Sequence, residues 1–255
     1  MRVIAVFPGR FQPAHLGHLS VYDYLCGKFG AANVFIATSD ARAPMTSPFS
    51  FSDKAQMWTL LGVPASKVVQ VKNPYNPVEI TSEVPNPEDT ALVIAISEKD
   101  MSGDGARFKF GTKKDGTASF MQPFPGDAAD LAPLTQHAYV LTIPTSTFKV
   151  QGADANSASE IRKAYLDGND DDRRAIVHDL YGSDDPAIKK TFDQRLAVTD
   201  DTANLLKEAR RQLPVCEGHT RQKFARLIES VRQMERAVEG TVFTEELVQN
   251  YFRER

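Results

Sequence analysis

Short, nearly unbroken apolar runs alternate with stretches of helical spacing over the first two-thirds of the chain. Val3–Phe7, Asn33–Thr38, Lys67–Val71, Ala91–Ile96 and Ala138–Leu141 predict strands, and Gly17–Phe29 and Ser52–Leu61 predict helices between them. Strands with no polar alternation are buried on both faces, as in a parallel sheet covered by helices on either side. The pattern predicts an α/β fold with a doubly wound parallel sheet, whose ligands bind beyond the carboxyl ends of the strands. From about Gly168 onward no strand-like run remains. Asp170–Tyr181 predicts a helix closed by Gly182, and Asp185 followed by Pro186 opens another. Helical spacing continues through Leu205, Leu206, Ala209 and Leu213, from Phe224 to Met234, and through Leu247, Val248, Tyr251 and Phe252. The expected organisation is a sheet domain over residues 1–167 and an all-helical C-terminal region over 168–255.

Composition narrows the class of function. The 255 residues carry 30 basic and 33 acidic side chains, a net charge of −3, which gives no sign of bulk nucleic-acid binding. Arg221, Lys223, Arg226, Arg232 and Arg236 make one predicted helix basic, read here as a solvated face opposite an apolar stripe. Two isolated cysteines, Cys26 and Cys216, fit a reducing cytoplasm. No apolar run is long enough to cross a membrane, and the chain opens on a strand rather than a signal peptide. The expected partners are small molecules, not nucleic acid or lipid.

The chemistry concentrates directly after the first predicted strand, in Gly9-Arg10-Phe11-Gln12-Pro13-Ala14-His15-Leu16-Gly17-His18. Two histidines three residues apart open a helix at a strand end. Imidazole N–H groups and free backbone N–H groups then face one spot, a ready site for a polyphosphate. The competing reading, half of a zinc site, needs two further ligands of suitable spacing. His137, His178 and His219 form no such cluster, so no resident metal is expected.

Three further stretches stand out. Asn156-Ser157-Ala158-Ser159-Glu160-Ile161-Arg162 precedes a short helix; Ser157-x-x-Glu160 is also a plain capping box. Ser47-Pro48-Phe49-Ser50-Phe51-Ser52-Asp53-Lys54 follows the second strand, with Ser52 as the expected N-cap and Trp58 one turn on. Burial habits favour a core role for Trp58 over base stacking. Ser97-Glu98-Lys99-Asp100 ends the strand Ala91–Ile96, at the ligand crevice. Beyond it, Met101 to Pro133 carries glycines with Arg107, Lys109, Lys113 and Lys114, and reads either as a basic lid or as a hairpin turning at Lys114-Asp115-Gly116.

A strand followed by the GRFQPxHxGH pattern is similar to the N-terminus of the HxGH nucleotidyltransferases. The Gly-Arg-Phe-Gln-Pro form most resembles the archaeal-type nicotinamide mononucleotide adenylyltransferases and their bifunctional bacterial relatives, and the chain is also similar to versions carried by large phages. The serine-rich stretch resembles the ISxTxIR signature of the same superfamily, with Asn156 in place of isoleucine and Ser159 in place of threonine. The Pro-Phe stretch looks like the NPFTxxER segment, with Asp53 and Lys54 in place of the glutamate–arginine pair. The resemblance covers roughly residues 1–167.

The resemblance implies a Rossmann-like nucleotidyltransferase fold and AMP transfer from ATP to a phosphorylated acceptor. Nicotinamide mononucleotide is the leading acceptor, giving NAD and pyrophosphate. Another acceptor, CTP in place of ATP, or a nucleotide-binding interaction protein without turnover remain as alternatives. The implied catalytic residues are His15, His18 and Arg162. Nucleotide binding would involve Gly9, Arg10, Phe11, Gln12, Gly17, Ser157, Ser159 and Lys99, and acceptor binding Lys54, Asp100 and Trp58. Mg²⁺ is expected to arrive on the triphosphate. Archaeal-type relatives are often oligomers, so a homo-oligomer is an expectation.

Overall fold

The first strand, β1 (Arg2–Pro8), lies at the centre of a six-stranded sheet in the computed structural model, which describes residues 1–196 apart from 44–45, 103–105, 114–115, 145–147 and 156. Its partners are β2 (Val34–Thr38), β3 (Val68–Gln70), β4 (Thr90–Ser97), β5 (Met121–Pro123) and β6 (Ala138–Ile143). The order is β3-β2-β1-β4-β6-β5 and every pairing is parallel. The chain winds outward from β1 to β3, then crosses back to β4 on the other side of β1. That reversal opens a crevice at the carboxyl ends of β1 and β4. A separate antiparallel hairpin pairs β7 (Phe148–Val150) with β8 (Ala153–Ala155).

The unbroken apolar strands are explained by cover on both faces. Along β1, Ala5 and Phe7 point into one core, and Ile4 and Val6 into the other. The first core is thick. It takes residues from α1 (Leu16–Phe29), α2 (Phe51–Leu60), α5 (Ala158–Asp167), α6 (Asp170–Tyr181) and the helix over residues 186–196, here α7. The second core is covered by α3 (Val78–Thr81), with Met101 from α4 (Glu98–Met101) and Phe108 beside it.

The helix ends follow local chemistry. Asn169 caps α6 with a full capping box to Asp172, and Gly182 closes it at φ 71°. Asp185 Oδ1 accepts from the Ala187 and Ile188 backbones at 2.8 and 3.1 Å and so starts α7. Ser50, not Ser52, caps α2, in a reciprocal box with Asp53. The helices expected at 205–213, 224–234 and 244–252, with the basic run 221–236, lie outside the described residues.

Candidate active site

The carboxyl ends of β1, β4 and β6 floor a cavity of about 450 Å³. It gathers His15 and His18 from α1, Ser97, Lys99 and Asp100 from the end of β4, and Ser157, Ser159 and Arg162 from α5. Gly9, Arg10, Phe11, Gln12 and Gly17 complete the wall predicted from the first motif. Two sequence-separated helix starts therefore meet over one strand end.

The loop after β1 is shaped by its own side chains. Phe11 has φ 46°, an uncommon conformation for a residue with a Cβ. Its ring folds back across Gly9, where a Cβ would come within 2.6 Å of Phe11 Cζ, so that position admits only glycine. The same ring packs edge-on to His18 and Trp58 at 5.0 and 5.1 Å between centroids. Gln12 is buried and grips the next loop at two points: its Nε2 donates to the Phe49 carbonyl and its Oε1 accepts from the Phe49 N–H, both at 2.9 Å. Phe11 and Gln12 thus line the cavity while their polar and aromatic capacity goes to building the loop.

His15 caps α1. Its Nδ1 accepts from the Gly17 N–H at 3.1 Å, which fixes the neutral tautomer with the proton on Nε2. A Cβ at Gly17 would sit 3.0 Å from the His15 ring, so a larger residue there would press on the ring by a few tenths of an ångström. The His18 N–H is also taken, by the His15 carbonyl at 2.8 Å. The helix start therefore keeps for itself N–H groups that the sequence reading left free. His18 Nδ1 is buried with no hydrogen-bond partner among the described residues, which leaves Nε2 as the open nitrogen. The two imidazoles lie 3.8 Å apart between centroids. Burial brings His15 down to about 4, and burial with the neighbouring His15 holds His18 well below the usual imidazole range. Both rings enter neutral at physiological pH, as N–H donors rather than cations.

Arg162 supplies fixed charge. It is buried, and it donates to the Gln12 carbonyl at 2.6 Å and to Ser159 Oγ at 3.3 Å. Burial, then the facing Arg10 guanidinium, pulls its pKa below the ordinary arginine value. Arg10 is exposed at the rim and has no acidic partner among the described residues. Ser157 caps α5, its Oγ accepting from the Glu160 N–H at 3.3 Å. Two arginines converging on one hollow, with serine hydroxyls beside them, call for an anion. Asn156 lies outside the described residues.

Two of the three acceptor candidates are not at the cavity. Lys54 is 1% exposed; its Nζ donates to Thr38 Oγ1 at 2.9 Å and to the Ser39 carbonyl. It ties α2 to the end of β2, and burial lowers its pKa to about 8. Trp58 is fully buried among Phe7, Phe11 and Tyr22. Asp100 does line the cavity, where it accepts from Ser97 Oγ at 3.1 Å and faces Arg107 Nε at 3.5 Å.

The structure adds Tyr75 and Phe148 to the lining, which no motif marked, and places Arg107 beside them. Arg107 lies over the Tyr75 ring at 4.4 Å, and Phe148 stacks on His15. Arg107 comes from the long segment after β4, so that segment does reach the site. Farther along, Thr112 pairs with Ala118 in antiparallel fashion and Gly116 has φ 84°, so a hairpin turns there; Lys114 and Asp115 lie outside the described residues. Among the described residues no group of three or more His, Cys, Asp or Glu could hold a metal ion.

Residues 6–105 match the cytidylyltransferase-like family. More particularly, the chain is similar to archaeal nicotinamide-nucleotide adenylyltransferases. It is 38% identical to the protein of that name from Sulfurisphaera tokodaii over 53 residues, 21% of this chain and 31% of the relative. It is also 42% identical over 45 residues to a phosphopantetheine adenylyltransferase from Acaryochloris marina, 18% of this chain and 26% of the relative. The chain thus spans under a third of the length of the curated relatives it matches. Among solved structures, a bifunctional NMN adenylyltransferase/ADP ribose pyrophosphatase from Francisella tularensis, complexed with AMP and a manganese ion, is 18% identical with a TM-score of 0.48, covering 86% of this chain and 57% of that one.

Proposed function

We propose that the chain transfers AMP from ATP to the phosphate of nicotinamide mononucleotide, giving NAD and pyrophosphate. The observation that carries this reading is the convergence of His15, His18 and Arg162 on one cavity at the β1–β4 crevice. The similarity to archaeal adenylyltransferases supports the choice of nucleotide and acceptor.

A phosphate oxygen of the acceptor attacks the α-phosphorus. One P–O bond forms, the bond to the β-phosphate bridge breaks, and pyrophosphate leaves. The nucleophile is already anionic, so the protein's task is positioning and charge stabilisation. His15 and His18 donate from Nε2 to oxygens of the α-phosphate. Arg162, with Ser157 and Ser159, holds the departing pyrophosphate. Arg10 and Lys99 extend the positive field over the triphosphate. Asp100, the cavity's one carboxylate among the described residues, is left as the acceptor-side contact. With no described cluster of metal ligands, we write Mg²⁺ as part of the nucleotide substrate. We also propose that residues 1–167 carry the chemistry and that the helices from 168 onward support it.

His18→Ala tests this assignment. Loss of one such donor lowers kcat about 10²–10³-fold. The variant also loses the ring's packing on Phe11 and His15, so its melting temperature falls as well, and turnover is compared on protein shown to be folded. A folded variant with undiminished turnover would overturn the role.

A further inference from the structure

One aromatic side chain in the cavity has no part in phosphate binding. Phe148 stacks on His15 with centroids 4.5 Å apart and planes 25° from parallel. It also closes over Gly17, whose missing Cβ would lie 3.4 Å from Phe148 Cδ2. The His15 ring is thus held by three contacts: the Gly17 N–H on Nδ1, the His18 ring, and Phe148. His18 is the titratable group set against it.

Phe148 begins the β7–β8 hairpin, whose turn is Gln151-Gly152 with φ 51° and 76°. Two positive φ values in succession suit a tight hairpin. Glutamine is a poor residue for the first of them, and something outside the turn must hold it. Helix α6 does. Asp179 Oδ2 accepts from the Gln151 backbone N–H at 2.7 Å, and Asp172 Oδ1 accepts from Gln151 Nε2 at 3.2 Å. Val150 is buried in the same core as Ile176, Val177 and Leu180 of α6. The hairpin's first strand carries Phe148 to His15, and its second ends at Ala155, on the cavity wall just before α5.

We propose that Phe148 is a positioning residue for His15, and that α6 sets its place by pinning the Gln151-Gly152 turn. This assigns a function to a helix beyond the superfamily motifs: it orders an imidazole it does not touch. The proposal rests on the reading of His15 as a phosphate donor, and its test separates the two.

The test follows His15 by nitrogen-15 NMR in the full-length protein, alongside steady-state kinetics with MgATP and nicotinamide mononucleotide. Phe148→Leu keeps apolar bulk and removes the flat face; Phe148→Tyr restores it. In Phe148→Leu the His15 resonances shift toward a mixture of tautomers and its titration midpoint climbs from about 4 toward the free value. kcat falls about 10–100-fold, the scale of a small misplacement, while KM for ATP holds. Phe148→Tyr returns all three readings to wild type. Asp179→Ala moves the His15 resonances in the same direction by less. Unmoved His15 resonances in a folded Phe148→Leu protein overturn the proposal. Moved resonances with full turnover show that the packing does not serve catalysis, and overturn it equally. If Phe148→Leu loses turnover while His15→Ala does not, the reading of His15 itself fails.

Discussion

His15 shows how one ring fills two posts. Its Nδ1 caps a helix, and that hydrogen bond forces the proton to the nitrogen facing the cavity. The cap is built into the donor. The same burial makes acid a threat to the fold. An unfolded imidazole takes its proton near 6.5, whereas folded His15 resists until about 4 and folded His18 is depressed as well. Between those values the unfolded chain binds more protons than the folded one, so stability rises with pH across the window and is lost as pH falls through it. Urea midpoints measured across this range should fall toward acid less steeply in His15→Asn than in wild type. Equal slopes would contradict the burial argument. The HxGH histidines were legible from type, spacing and place after a strand. Arg107 was marked as part of a basic segment that could cover the site, but Tyr75 and Phe148 were not legible, because nothing in a loop's sequence says which way it folds across a crevice.

At the scale of the element, the surprise is α2. A lysine one turn from a Pro-Phe pair, beside a phosphate motif, invites a role in binding. Its burial depends on Thr38 and Ser39 at the end of β2, partners the local sequence does not announce. Lys54→Met should lower stability by about 1–3 kcal/mol, since two acceptors lose their donor. KM for the acceptor should not change. A raised KM with intact stability would return Lys54 to the binding site. The cap of the same helix was misplaced by two residues because the box closes with Asp53 rather than Glu or Gln at its third position. The strands with clear apolar runs were found to within a few residues. Met121–Pro123 and the β7–β8 hairpin, at three residues a strand, are too short to show a period.

Across the whole molecule, the change of pattern near residue 168 marks a change of secondary structure within one continuous core. Ile176, Val177, Leu180, Ile188, Phe192 and Leu196 are buried in the core that holds Phe7 and Phe11. Arg195 reaches from α7 to Asp53 at the cap of α2, with Nε at 2.8 Å from Oδ2 and Nη2 at 3.3 Å from Oδ1. Phe192 packs on Phe49, the residue Gln12 grips, at 4.9 Å between centroids. Each large buried apolar side chain contributes about 1.5–3 kcal/mol. Six of them rival the about 5–15 kcal/mol that holds a typical domain together. A chain cut after 167 should therefore lack a cooperative unfolding transition in calorimetry. A sharp transition near the full-length temperature would show that the sheet domain stands alone. Among the described residues no helix is long and apolar enough to cross a membrane.

The central claim is adenylyl transfer to nicotinamide mononucleotide, and pyrophosphate release tests it most directly. The full-length protein is supplied with Mg²⁺, either ATP or CTP, and nicotinamide mononucleotide or another phosphorylated acceptor. Pyrophosphate is expected only with ATP and nicotinamide mononucleotide together, matched by an equal amount of NAD. Release with CTP, or with a different acceptor alone, would contradict the substrate assignment. ATP binding without release from any pair would contradict the enzymatic reading itself.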